Sequence, residues 1–192
     1  MVGQAVALIR VALAAVVMIA ATAAGAERFV VVGACRGGVP NGAYELRMPD
    51  GRLRVSGAFA SGRKTGTFIF WTAAGARIAV VPYDEDAKSG TVARWYTTSS
   101  GRESGRKLEA PFSENVLHGI ERSWHPNGVL RSESRYERGA LAATQAWDRS
   151  GVPLPEPQAR RLAAQDATAD ERFLSELDAT VRDHPPRCET GA

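Results

Sequence analysis

Three carboxylates and three histidines are the residues in this chain whose types could carry a reaction. Glu121 with Glu133, or Glu133 with Glu137, could pair as the acid and base of a cell-wall or glycan hydrolase. Surface charge on strands explains the same residues more simply. His118, His125 and His184 are the histidines of the chain. His118 and His125 differ by an odd number along one extended segment, so they face opposite ways and cannot share a metal. No Cys-x-x-Cys or His-Glu-x-x-His spacing supplies a zinc site, and no Gly-x-Ser-x-Gly elbow presents a nucleophile. Residues 57–65, Gly-Ala-Phe-Ala-Ser-Gly-Arg-Lys-Thr, come within one residue of a phosphate-binding loop. Arg63 separates the second Gly from its Lys, and strand-like Thr67–Trp71 follows where a helix must begin. The sequence therefore nominates no catalytic residue, no cofactor-binding residue and no metal ligand.

Aromatic side chains are the other source of chemistry. Trp71, Trp95, Tyr96, Trp124, Tyr136 and Trp147 can form a ladder in the core. As an exposed row they would stack on sugars or grip a peptide or lipid. Their positions follow from the unit that carries them, clearest at Glu114–Gly139. After Gly119, Ile120, Arg122 and Trp124 alternate with Glu121, Ser123 and His125, the period of a half-buried strand. Asn127-Gly128 suits a tight turn with two positive φ angles. Leu130 and Tyr136 then share a face on the return strand. Such a hairpin is marginal alone and needs neighbours that extend its sheet.

Copies of the unit supply those neighbours. The turn glycines Gly51, Gly75, Gly101, Gly128 and Gly151 are 24, 26, 27 and 23 residues apart. Trp71, Trp124 and Trp147 each precede their glycine by four residues, Tyr96 by five, and Met48 takes this place in the first copy. Phe59, Tyr83 and Tyr136 each follow theirs by eight, and Gly62 and Gly139 by eleven. Second turns fall at Gly62–Gly66, Asp84–Gly90 and Asn115–Gly119. Two turns and two strands per period describe a β-hairpin array. Thr67–Trp71 is apolar on both faces, so something must cover it.

The pattern Gly-x4-aromatic-x3-Gly, followed by an aromatic and Gly-x3-Gly, resembles the MORN repeat, and most closely the bacterial MORN-variant group of YwqK-like antitoxins. Residues 61–71 and 117–128 carry the likeness, which extends over Asn41–Leu154. The cadence slips around Gly101–Glu114, and Ala143 replaces a Gly before Trp147. The resemblance implies an elongated antiparallel β-hairpin repeat sheet and an interaction module without agreed catalytic residues. It also implies a toxin-neutralising protein as an alternative, with a cognate toxin as partner.

The flanks complete four expected segments: 1–26, 27–41, 42–154 and 155–192. Met1–Ala26 reads as a cleavable signal peptide, with Arg10, an apolar run and an Ala24-Gly25-Ala26 cleavage site. The run is too short to span a bilayer. Phe29–Val32 begins the first strand. Val32–Cys35 faintly imitates a lipid-attachment box; the better use of Cys35 is one long-range disulfide with Cys188 in an exported chain. Two free thiols are the alternative. Pro153, Pro155 and Pro157 mark a boundary, after which 158–181 has helical spacing. Thr168–Glu171 fits a capping box, so two short helices compete with one. This tail either caps and covers the array or offers a partner-binding helix.

The net charge is +3 over 192 residues. Residues 42–154 hold 16 Lys and Arg against 12 Asp and Glu, while the tail holds 5 against 8. A basic sheet and an acidic helix invite docking, or an anionic lipid surface. The basic density and the export signal argue against nucleic acid. The expected protein is mainly β with a C-terminal α-helical segment, exported and non-enzymatic, and it binds an unidentified protein or envelope component without a cofactor.

Overall fold

The computed structural model describes residues 29–188. The expected signal segment, Met1–Ala26, lies outside the described residues. The strands are β1 (Val30–Arg36), β2 (Val39–Arg47), β3 (Leu53–Ala60), β4 (Arg63–Trp71), β5 (Arg77–Asp84), β6 (Ala87–Lys88), β7 (Gly90–Thr97), β8 (Glu103–Ser113), β9 (Val116–Leu117), β10 (Gly119–Trp124), β11 (Leu130–Glu137) and β12 (Ala140–Ala146). One helix, α1 (Glu156–Arg182), follows. The strands form one antiparallel sheet in chain order, with the two-residue β6 and β9 pairing back on β5 and β8. The expected fold class, a hairpin-repeat sheet with a C-terminal helix, is the one observed.

Two turn types alternate along the chain. Gly51, Gly75, Gly101, Gly128 and Gly151 each donate their N–H to a carbonyl three residues back, at 2.8–3.0 Å. All five are left-handed, with φ between 75° and 86°. This corrects the turn expected at Asn127-Gly128. Gly128 alone is left-handed there, while Pro126, with its ring-fixed φ, suits the first central position of a type I turn. Paired left-handed residues occur at the opposite sheet end, at Gly37-Gly38, Ser61-Gly62, Glu85-Asp86, Glu114-Asn115 and Arg138-Gly139. Consecutive positive φ angles match strand twist in two-residue hairpins.

Three of the return strands, β3, β5 and β11, then skip one residue in their pairing, while β8 skips two, Gly105 and Lys107. In those three the skipped residues are Arg54, Ile78 and Arg131, each three after its turn glycine. A bulge moves the following side chains to the other face. The rings therefore do not line one face, which corrects the single ladder. Phe59, Tyr83 and Tyr136 face the helix. Trp71 and Trp124 lie on the far side of their strands from buried Phe70 and Ser123. The same shift corrects the apolar face expected of β10: Glu121 and Ser123 are buried, whereas Ile120 is 40% exposed.

The core sits between α1 and the first half of the sheet. Tyr44, Leu46, Val55, Phe68, Phe70, Val81 and Tyr83 pack with Leu174, Leu177 and Val181. Edge-to-face contacts link Tyr44 to Phe59 at 5.3 Å, Phe59 to Phe68 at 5.8 Å and Phe68 to Tyr83 at 5.2 Å. Gly57 makes room for this stack: a Cβ there would lie 2.6 Å from the Phe68 ring. The cover required by Thr67–Trp71 is thus the tail helix, over its phenylalanine face.

The tail forms one helix, and Thr168 is not a cap. Its hydroxyl donates to the carbonyl of Ala164 within the helix at 3.1 Å. Proline at the first turn begins α1 without a side-chain cap. Its 27 residues span about 40 Å. Ten long strands at about 4.8 Å spacing span nearly the same distance, so the helix reaches across almost the whole sheet.

Candidate functional site

Helix α1 meets the sheet in a fixed order. Asp166 pairs with Arg131 on β11, Asp170 with Arg94 on β7, and Asp178 with Lys64 on β4 and Lys88 on β6. These aspartates are four or eight residues apart, so they share one helical face. Asp178 also accepts from the Tyr83 hydroxyl at 2.6 Å. Burial alone would raise its pKa, but hydrogen bonds from Lys64, Lys88 and Tyr83 outweigh burial and hold it below the usual range. Arg94 is 7% exposed, and its guanidinium lies 3.5 Å over the Phe173 ring. Desolvation lowers its pKa to about 10. The basic sheet and acidic helix therefore neutralise each other.

Beyond the helix, Cys35 and Cys188 are joined in a disulfide, which ties β1 to the end of the tail. Pro186 packs on β1 as well, where a Cβ on Gly33 would lie 2.7 Å from its ring. Tyr44 donates to the carbonyl of His184 at 2.8 Å, and the His184 ring meets Phe29 edge-on at 4.9 Å.

Under the first half of α1 the inner face is polar. Glu121, Ser123, Ser132 and Ser134 are buried there, beneath a helix face of small residues, Ala159 and Ala163. The serines are satisfied: Ser123 bonds Ser132 at 2.6 Å and Ser134 bonds Thr144 at 2.8 Å. Glu121 is 4% exposed, and among the described residues its carboxyl receives no hydrogen bond or ion pair. Burial, with the nearby Asp166 charge adding to it, pushes its pKa up to about 7. Burial and the Glu121 charge push the Tyr136 phenol up to about 12.

The face away from α1 closes on itself. Trp71 and Arg77 are directly paired, as are Trp95 and Arg106. The Arg77 and Arg106 guanidinium groups lie 3.9 and 4.4 Å from the centre of the Trp95 ring. Ion pairs from Arg77 to Glu103, at 2.9 Å, and from Arg122 to Glu133, at 2.7 Å, continue the network. Cations cover the Trp95 ring, so Trp95 holds the sheet rather than offering an open stacking platform.

The last hairpin is incomplete. After Gly151 the return strand reaches only Leu154, whose N–H donates to Ala146 at 2.8 Å. Trp147 and Pro153 form an isolated bridge, and Pro155 then diverts the chain into α1. Among the described residues, no strand lies beyond the rest of β12. Its sequence, Ala-Leu-Ala-Ala-Thr-Gln-Ala, carries no charge. Charges and prolines normally guard such an edge.

The chemical candidates are scattered. Glu121 faces α1 while Glu133 faces away and pairs with Arg122, so the sheet separates them as an acid–base pair. His125 donates its Nε2–H to the Trp147 carbonyl at 2.9 Å, and His118 lies near the Arg138 amide at the other end of β10. Lys64, from the phosphate-loop lookalike, is committed to Asp178. Gly66, Gly90 and Gly119 are left-handed and follow the paired left-handed turns by four residues; Gly139 belongs to such a turn. The repeat positions thus build the scaffold, while Glu121 and the β12 edge carry no spacing signature. Among the described residues no helix is long and apolar enough to cross a membrane. No family model and no curated protein matches this chain.

Proposed function

We propose that this chain is an exported, non-enzymatic scaffold that captures an extended segment of another envelope protein by adding it as a strand along β12. The uncharged edge left one strand short by the truncated last hairpin is the observation that carries this reading. Strand addition uses main-chain hydrogen bonds for affinity and alternate side chains for choice of partner. The Cys35–Cys188 bridge favours an oxidising compartment. The mutual neutralisation of sheet and helix favours a main-chain mode of binding over a charge-driven one. The MORN-like cadence agrees with an interaction module.

The test places a photo-crosslinking residue at Ala142 in producing cells. One defined adduct is expected there and none from Arg36 on the opposite edge. Lysines at Ala140 and Ala143, both exposed, should abolish the adduct without changing the melting temperature. No adduct at Ala142, an adduct indifferent to the lysines, or an adduct with a second copy of the chain would overturn the reading.

A further inference from the structure

A cavity of about 540 Å³ opens between α1 and strands β8, β10 and β11. That volume lies in the range of small-molecule sites. Leu108, Phe112, Leu117 and Leu174 give it apolar walls, and Glu121 and Tyr136 supply polar atoms. Of the other acids on its rim, Asp170 is engaged by Arg94 and Asp178 by Lys64 and Lys88, while Glu171 is exposed to solvent. Neither the Glu121 carboxyl nor the Tyr136 hydroxyl has a hydrogen bond among the described residues. A buried carboxyl without a partner is costly unless something cationic meets it.

We propose that this cavity binds a small organic cation, a primary amine on an aliphatic or arylalkyl body, with the Glu121 carboxylate as counter-ion and the leucine-lined walls holding the body. Charge selects the class. Lys88 stands against Glu121, Asp170, Glu171 and Asp178 in the lining. Counting Lys64 and Arg94, which hold two of those acids, the balance is three positive against four negative. An anion would meet the uncompensated carboxylate. A neutral ligand would leave that carboxylate buried and unpaired. The groups around Glu121 are Asp166 and Asp170 from α1, Lys107 from β8, and Arg131 and Tyr136 from β11. Arg131 is held by Asp166 and the Lys107 ammonium lies over the Tyr96 ring, 5.7 Å from its centre, so neither discharges Glu121.

Isothermal titration with hexylamine, hexanol and hexanoate tests the site. Hexylamine is expected to bind, and hexanol and hexanoate to bind at least about tenfold more weakly. Near about pH 6, titrations in two buffers of different ionisation heat should show about one proton released per amine as Glu121 ionises. Glu121→Gln should weaken hexylamine by about tenfold or more and abolish the proton release. Ser175→Trp, on the exposed helix side of the cavity, should block binding while the thermal melt stays cooperative. Hexanol binding as tightly as hexylamine would overturn the proposal. So would full affinity in a folded Glu121→Gln protein, or no hexylamine binding at millimolar concentration.

Discussion

Reducing the Cys35–Cys188 bridge, or replacing both cysteines by serine, is expected to lower the free energy of unfolding by about 5 kcal/mol. The bridge closes a loop with a sequence separation of 153, and a cross-link restricts the unfolded chain more as its loop lengthens. Here it also joins the first strand to the segment after the helix, the two parts farthest from each other in sequence. The Tyr44–His184 hydrogen bond and the Pro186–Gly33 contact hold the same region without it, so the reduced protein should still fold. Urea unfolding with and without reductant measures the difference. Coincident curves would show that the bridge contributes nothing beyond those contacts.

Glu121→Gln should remove a loss of about 3 kcal/mol in stability that the wild type suffers as pH rises from about 4.5 to about 7. Burial raises this carboxyl from an ordinary 4.5 to about 7. Below the lower value both folded and unfolded chains hold the proton, and no penalty exists. Between the two values the folded chain holds a proton that the unfolded chain has released, so stability falls as pH rises. Above about pH 7 the folded chain carries a buried carboxylate and the loss is complete. Glutamine remains neutral throughout. Any constant offset from its amide leaves the pH dependence of the difference unchanged. Chemical unfolding at about pH 4 and about pH 8, done without amine, reads that difference. Parallel profiles would mean that the carboxyl is not desolvated.

The glycine cadence made the array legible because each turn demands a left-handed residue at a fixed place, and Gly supplies it without strain. One long helix, rather than two short ones, and the pairing of Cys35 with Cys188, rather than two free thiols, are alternatives that spacing leaves open and the structure settles. What spacing concealed was sidedness. Alternation counted from Trp124 places Glu121 and Ser123 opposite the apolar side of the hairpin, and the skipped Arg131 reverses that relation on the return strand. Glu121 was visible as an acid, but nothing local distinguishes it from Glu133, which pairs at the surface. Glu121 is set apart by α1, which lies across it and begins only at Glu156, well beyond any local pattern. The edge was hidden for a similar reason: Pro153 and Pro155 announce a boundary, not an unfilled place beside β12.

The helix spanning the sheet changes how this protein comes apart. Stacked repeats ordinarily touch only their neighbours and can unravel from an end, one unit at a time. Here α1 anchors to β11 through Asp166, to β7 through Asp170 and to β4 through Asp178, at sequence separations of 35, 76 and 114. Fraying any one hairpin loosens a crossbar that the rest share. Hydrogen exchange should therefore report a single opening energy from β4 to β11, where an unbraced array would show a gradient.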